Sequence, residues 1–378
     1  IYFMAGSGQS VMKHCVVKYA GYYSSYGNRK EAGIYCEGSS PTITNCTISH
    51  NNQYGIRLKD ASPAISSNTI SDHNYYGIYC EGTSNPTIDG NTISDNQYGI
   101  YATNTSVPTI TNNTFSDNTN RAIYLSGGII PTIQNNTATG SPYGGVVITG
   151  TITADSKLLS TSGIPYIFWN VSISEGVTLT IDPGTVVKFS SASRLTVNGT
   201  LSAEGTSESP IIFTSLKDDS YGGDTNNDGS GSTPAARDWD GIYFMAGSGQ
   251  SVMKHCVVKY GGYTYHSSQK GAGIYCEGSS PTITNCTISQ NDQYGIRLKD
   301  ASPTIRNNTI SESSYGIYLS GASPSIIGNT ISNNTNYGIY ARSSSNPTIT
   351  GNTFENNGSY AISFDSTSSG AGVSGNTI

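Results

Sequence analysis

Apolar positions along this chain come in short alternating runs, typically one Ile between polar or aromatic neighbours, broken by Asn, Gly, Asp or Ser. Alternation over so few residues predicts short strands joined by turns, and no stretch carries a helical period. Aligning the Pro-Thr-Ile strings and their variants gives Pro41, Pro63, Pro86, Pro108 and Pro131, then Pro281, Pro303, Pro324 and Pro347, spaced 21 to 23 residues apart. Three apolar columns accompany that period. They are Ile43, Ile65, Ile88, Ile110, Ile133; Ile48, Ile70, Ile93, Phe115, Ala138; and Ile34, Ile56, Ile78, Ile100, Ile123.

Three short strands in about 22 residues cannot enclose a core, but units stacked in register can, because each backbone pairs with the coil above and the coil below. The predicted fold is therefore all-β, a parallel β-helix whose Ile columns face inward. Alternation within Gly33–Gly38 turns Ile34 and Cys36 inward and Tyr35 and Glu37 outward, with Leu58, Cys80, Ala102 and Leu125 replacing Cys36 in later coils. Gly55, Gly77 and Gly99 are assigned to corners that demand positive φ. Asn45, Asn68, Asn91, Asn113 and Asn136 are assigned to an amide ladder from coil to coil.

A second, longer period overlies the first. Residues 1–138 match 242–378 with shifts of 239 to 241, so a module of about 240 residues repeats and a longer tandem array is expected. Three segments follow: coils over 1–145; a junction with longer-stranded coils over 146–240, including an acidic loop at 217–232; and coils over 241–378 that duplicate 1–138. Between the copies, Gly176–Ser215 lacks the corner Asn yet alternates in strand fashion, as in Val177, Leu179 and Ile181, and reads as further coils of one solenoid.

The Asn-Thr-Ile and Tyr-Gly-Ile coils resemble the PbH1-type, NosD-like parallel β-helix repeat of secreted, carbohydrate-associated proteins. Val177–Ser215 resembles the opening coils of bacterial extracellular right-handed β-helix proteins. The resemblance implies a right-handed solenoid; for activity it implies little, since this repeat serves enzymes, binders and stalks alike.

Composition narrows the partners. Charged residues are 12%, against 44 Gly and 27 Tyr, so hydroxyls and amides solvate the surface. A net charge of −6, with no Lys/Arg cluster, argues against nucleic acid. No run approaches 18 apolar residues, and no export leader opens the sequence.

Candidate chemistry is sparse. Asp224, Asn226 and Asp228, followed by Gly229, have the opening spacing of a Ca²⁺ loop, with Ala235 where a bidentate Glu belongs, so the expected cofactor is a structural Ca²⁺ completed by Asp218, Asp219, Asp238 or Asp240; a plain Asx-rich turn is the alternative. An enzyme of this fold would resemble polysaccharide lyases or epimerases, with acidic Ca²⁺ ligands and a basic residue along one outer groove. The matching positions, Glu37, Arg57, Lys59 and Glu81, also read as a solvated charge ladder, and the second copy has Glu277, Lys299, Ser320 and Arg342 there. His14 and His255 adjoin Cys15 and Cys256 without a nucleophile–base–acid spacing. Outward Tyr35, Tyr79, Tyr101 and Tyr124, with Tyr54, Tyr76 and Tyr98, suit sugar platforms or simple cover for the sheet. Thr47, Thr69, Thr92, Thr114 and Thr137 form one regular column.

Cys15 aligns with Cys46, and Cys256 with Cys286, on adjacent coils, which predicts two disulfides and an oxidising compartment; Cys36, Cys80 and Cys276 are expected to be buried thiols. Ten sequons, at Asn45, Asn104, Asn112, Asn135, Asn170, Asn198, Asn285, Asn307, Asn333 and Asn357, are glycan acceptors or turn residues. The expected function is a non-catalytic extracellular or cell-surface structural protein, a rod or filament of tandem modules whose partners are further modules, copies of itself end to end, and glycans. The alternative is a secreted carbohydrate-active or carbohydrate-binding protein.

Overall fold

The computed structural model describes residues 1–21, 31–103, 105–264 and 270–378. Its backbone is a parallel β-solenoid, and a single 3₁₀ turn, Ser160–Ser162, is the one helical element among the described residues. The chain divides into two compact units: Ile1–Gly150 with Thr161–Ile167 and Gly222–Gly231, and Thr151–Ser160 with Phe168–Tyr221 and Ser232–Ile378.

In the first unit the strands Ala32–Glu37, Tyr54–Lys59, Tyr76–Glu81, Tyr98–Ala102 and Arg121–Leu125 pair in parallel with Ile34, Ile56, Ile78, Ile100 and Ile123 in one row. The remaining strands form two six-stranded sheets whose rows are Ile43 to Ile133 and Ile48 to Ala138, as the period predicted. Every Ile of the three rows is 0% exposed, and each fully buried side chain of this kind contributes roughly 1.5–3 kcal/mol. Cys36, Leu58, Cys80, Ala102 and Leu125 form a fourth inward row. Beyond Arg121–Leu125 the pile continues: Val146 aligns with Ile123 and Ile148 with Leu125, after a register shift that sets Gly144 and Gly145 opposite Ala122.

The second unit follows the same plan. One row runs Val171, Leu195, Ile242, Ile274, Ile296, Ile317, Ile339 and Ile362. Another runs Ala203, Met253, Ile283, Ile305, Ile326 and Ile349, and a third Val187, Phe213, Val258, Ile288, Ile310, Ile331 and Phe354. The longer-stranded coils therefore share one core with the Asn-cornered coils that follow them.

Polar groups buried at the corners are satisfied by side-chain columns. Asn91 Oδ1 accepts the backbone N–H and the Nδ2 of Asn68, while Asn91 Nδ2 donates to Ile65 O and to Asn113 Oδ1, and the pattern repeats to Asn136. Asn45 is not part of this ladder, contrary to the sequence reading. The ladder begins one residue later, at Cys46, whose N–H donates to Asn68 Oδ1, and Asn45 instead takes the exposed left-handed position, φ 53°. Ser67, Gly90, Asn112 and Asn135 occupy the same left-handed position in later coils. Gly55, Gly77 and Gly99 also differ from expectation, since none has positive φ. A Cβ at Gly99 would lie 2.5 Å from Ala122 O and 2.6 Å from a Phe115 ring carbon, so close approach of the next coil is what demands glycine there.

A second ladder, unforeseen in the sequence, runs through Asn51, His73, Asn96 and Asn118. His73 stands in for an amide: Nδ1 accepts the Asn51 N–H at 3.1 Å, as Oδ1 would, and Nε2 lies 3.2 Å from Ile48 O, where it donates as an Nδ2 would. Only the neutral ring can do both. Burial lowers its pKa from 6.5 to about 4, against the backbone contacts to Asn51 and Ile48 and the charge of Asp72, with His50 acting in the same direction as burial. An unfolded His73 gains its proton near pH 6.5, so the contribution is complete above that pH and disappears as pH falls toward 4. The loss should reach roughly 3 kcal/mol, at about 1.36 kcal/mol per pKa unit. Urea unfolding at pH 7 and pH 4.5 is expected to show this loss in the wild type and to show most of it removed in His73→Asn; equal acid sensitivity of the two proteins would refute the assignment.

Candidate functional site

The outer face of the long strands carries the charges and tyrosines singled out above. Glu37, Lys59 and Glu81 align on successive coils, with Lys59 Nζ 2.9 Å from Glu37 Oε1. Arg57 reaches diagonally to Glu81, 2.8 Å from Nη2 to Oε1, and lies over the rings of Tyr35, Tyr54 and Tyr79. In the second unit Lys299 pairs with Glu277 at 2.6 Å, and Arg342 donates to the Tyr318 hydroxyl. The ladder is thus made of mutual pairs.

The tyrosines form continuous aromatic columns. Tyr54, Tyr76 and Tyr98 stack with centroids 5.4 and 5.1 Å apart, and Tyr79, Tyr101 and Tyr124 follow at 5.4 and 4.7 Å. These six are half-buried, and the Tyr98 and Tyr124 hydroxyls are hydrogen-bonded, Tyr98 accepting from Asn120 and Arg121 and Tyr124 paired with Thr149. Burial drives the Tyr54, Tyr79 and Tyr101 hydroxyls above their usual pKa, which keeps them protonated. Tyr35 departs from the expected exposure: it aligns with outward Arg57 but is 0% exposed, beneath that guanidinium and against the edge of Tyr2. Tyr275 is buried likewise. Flanking long side chains on neighbouring coils account for this, an effect that alternation within one strand does not encode. The Thr47-to-Thr137 column is in register throughout.

The acidic loop is organised by its own hydrogen bonds. The Asp224 carboxylate accepts the N–H groups of Asp228 and Gly229, and Asn226 Nδ2 donates to Asp228 Oδ2 at 2.7 Å. Asp224 and Asp228 offer oxygens within 4.8 Å of each other, a donor set of the hard oxygens that Ca²⁺ takes. Three of the other acids proposed for that shell, Asp218, Asp238 and Asp240, have partners elsewhere. Asp218 accepts from Thr214 and Ser220, Asp238 pairs with Lys217, and Asp240 accepts from Arg194 and Tyr243.

All seven cysteines are thiols, so the Cys15–Cys46 and Cys256–Cys286 bridges are absent. The paired cysteines do align, and the sulfurs do the work of the ladder amides. Cys286 Sγ accepts the Cys256 N–H at 3.4 Å and donates to Thr284 O, and Cys46 Sγ donates to Thr44 O. Burial pushes the Cys36 and Cys80 thiols up to about 12 and Cys256 well above the ordinary value. His14 and His255 both sit at left-handed corners next to those cysteines.

Among the sequons, Asn45, Asn112, Asn135, Asn285, Asn307 and Asn333 are exposed corner residues with positive φ, and Asn170 is an exposed residue with positive φ inside the strand Tyr166–Ile173, which gives their type a conformational reason. The Asn357 amide is held in a ladder between Asn334 and Ile331 O, Asn198 is half-buried, and Asn104 lies outside the described residues. Among the described residues, no helix is long and apolar enough to cross a membrane.

A family model described as a right handed beta helix region matches residues 1–157 and 272–378. No curated protein matches the chain. Among solved structures it is similar to the catalytic domain of a GH87 alpha-1,3-glucanase in complex with tetrasaccharides, at 14% identity and a TM-score of 0.21, over 100% of this chain and 64% of that one.

Titration with Ellman's reagent in denaturant, without reductant, is expected to count all seven thiols, whereas five or three would mean that one or both bridges had formed. In native buffer the half-exposed Cys15 should react first and Cys36, Cys80 and Cys276 last.

Proposed function

The chain belongs to the right-handed β-helix family, and from that premise we propose that it is a non-catalytic structural module, one of a tandem series that builds a rod or filament outside the cell or on its surface. The observation that carries this reading is the pairing on the outer face. Glu37 with Lys59, Arg57 with Glu81 and Glu277 with Lys299 neutralise one another in the positions where an enzyme of this fold would hold reactive groups. Duplicated coils lengthen such a body by repeating one interface, and no coil has to differ from its neighbours. The extracellular placement rests on the hydroxyl- and amide-rich surface and the exposed sequon asparagines. The cysteines, being thiols, do not contribute to it.

A second reading, carbohydrate binding, is favoured by the half-buried columns Tyr54–Tyr76–Tyr98 and Tyr79–Tyr101–Tyr124, whose rings offer the apolar surface and polar tips that sugars pack against. The Asp224, Asn226 and Asp228 loop belongs to the structural reading, as a Ca²⁺ site that orders a long connection.

Electron microscopy of the native material is expected to show thin fibres with an axial repeat of whole modules. Dispersed particles that cleave a polysaccharide would overturn the structural reading, and retention on insoluble polysaccharide that Tyr76→Ala abolishes would establish the second. Millimolar Ca²⁺ should raise the Tm of the wild type and leave that of Asp224→Ala unchanged; an equal response in both would remove Asp224 from the Ca²⁺ site.

A further inference from the structure

On the outer face of the second unit there is a cavity of about 240 Å³, lined by Arg194, Thr196, Tyr243, Lys270, Tyr275 and Glu277, with Met245 at its apolar edge. Thr196, Tyr243 and Tyr275 are consecutive members of one outward row and form its floor. The walls come from longer side chains held in place by buried or paired groups. Asp240, whose side chain is 2% exposed, accepts from Arg194 Nη1 at 3.2 Å and from the Tyr243 hydroxyl at 2.6 Å, which fixes the guanidinium over the Tyr243 ring. Glu277 is held by Lys299 Nζ at 2.6 Å and the Tyr275 hydroxyl at 2.8 Å.

Lys270 is different. Its backbone is clamped on both sides, since its N–H donates to the Tyr243 oxygen at 2.8 Å and its carbonyl accepts from Arg297 at 2.9 Å. Its ammonium lies 5.5 Å from the centre of the Tyr275 ring, and among the described residues no carboxylate comes within ion-pair distance of it. Around the cavity stand the cations Arg194, Lys270, Arg297 and Lys299 and the anions Asp240 and Glu277, a local excess of positive charge in a chain whose net charge is −6.

We propose that this cavity binds a small hydroxylated carboxylic acid, with its carboxylate toward Lys270 and Arg194 and its hydroxyls toward Glu277. A carboxylate supplies Lys270 with a direct ion pair, which Asp240 and Glu277, acting on it only from beyond ion-pair distance, do not. Glu277, an acceptor-only group with oxygen lone pairs beyond its two bonds, takes hydroxyl donors. Met245 and the ring edges cover the apolar side. Pockets for drug-sized ligands span roughly 300–1,000 Å³, so this smaller one admits a single six-membered ring or a short chain. The inference goes beyond the structural reading and does not depend on it, because a filament module can carry such a site or lack it.

The test is calorimetric titration of the full chain with glucuronate, alongside glucose, which lacks the carboxylate, and acetate, which lacks the hydroxyls. Saturable one-to-one binding of glucuronate is expected, at least about tenfold tighter than either control. Lys270→Gln, and Thr196→Trp, which fills the cavity without removing a charge, should each weaken it by about tenfold or more, while Arg306→Gln, a charge removed elsewhere on the same unit, should not. Near-UV circular dichroism and Tm identify variants that remain folded. A glucuronate oligosaccharide that binds more tightly than the monomer would point to an acidic polysaccharide as the source, and equal binding to a free acid. The proposal is overturned by absence of saturable glucuronate binding, by glucose or acetate binding as tightly, by folded Lys270→Gln and Thr196→Trp binding as wild type does, or by Arg306→Gln weakening binding as much as Lys270→Gln.

Discussion

In a parallel solenoid the strands pair through their own backbones, but at each corner the backbone turns and buried N–H and C=O groups must find other partners. Here a side-chain amide supplies them. Its oxygen accepts from the coil before, its nitrogen donates to that coil's carbonyl and to the next amide, and the column repeats from Asn68 to Asn136 and from Asn308 to Asn352. Loss of one member would leave both a donor and an acceptor buried without partners, at about 1–3 kcal/mol for each orphaned group. The register that stacks Ile on Ile is fixed by these bonds, and so is everything the register places on the outside.

Most of the core was legible because the period of about 22 residues is printed in the Ile and Pro positions, and a dry interior accepts little else. The corners were less so. Asn45 and Cys46 both look like candidates for an amide column, and only the strand register separates the left-handed residue from the laddered one. His73 hid the second ladder, since its resemblance to an amide lies in the spacing of its two nitrogens and not in its residue class. Asn51, Asn96 and Asn118 recur at one coil position, and that recurrence is the sequence signal of the column.

The cysteines show a different limit. Cys256 aligns with Cys286 as the period predicts, yet both are thiols, because position alone does not tell a bridge from two thiols that stand in for Asn at the head of a ladder. The cavity by Lys270 was invisible for a related reason. Arg194, Asp240, Tyr243 and Lys270 are spread over nearly eighty residues of sequence and meet only because a longer-stranded coil sits directly against an Asn-cornered one.

The corner that carries the first amide column has a fixed length. Two residues, one left-handed and one laddered, separate Thr44 from Thr47, Ser66 from Thr69, Asp89 from Thr92 and Thr111 from Thr114, and the second copy keeps the same count. The bend that follows each long strand is elastic by comparison, with four residues between Lys59 and Ala64, five between Glu81 and Thr87 and six between Ala102 and Thr109. Evolutionary insertions, epitope tags or grafted peptides are therefore admitted at that elastic bend and rejected at the amide corner, which makes the solenoid a chassis with one edge open to diversification and one edge closed.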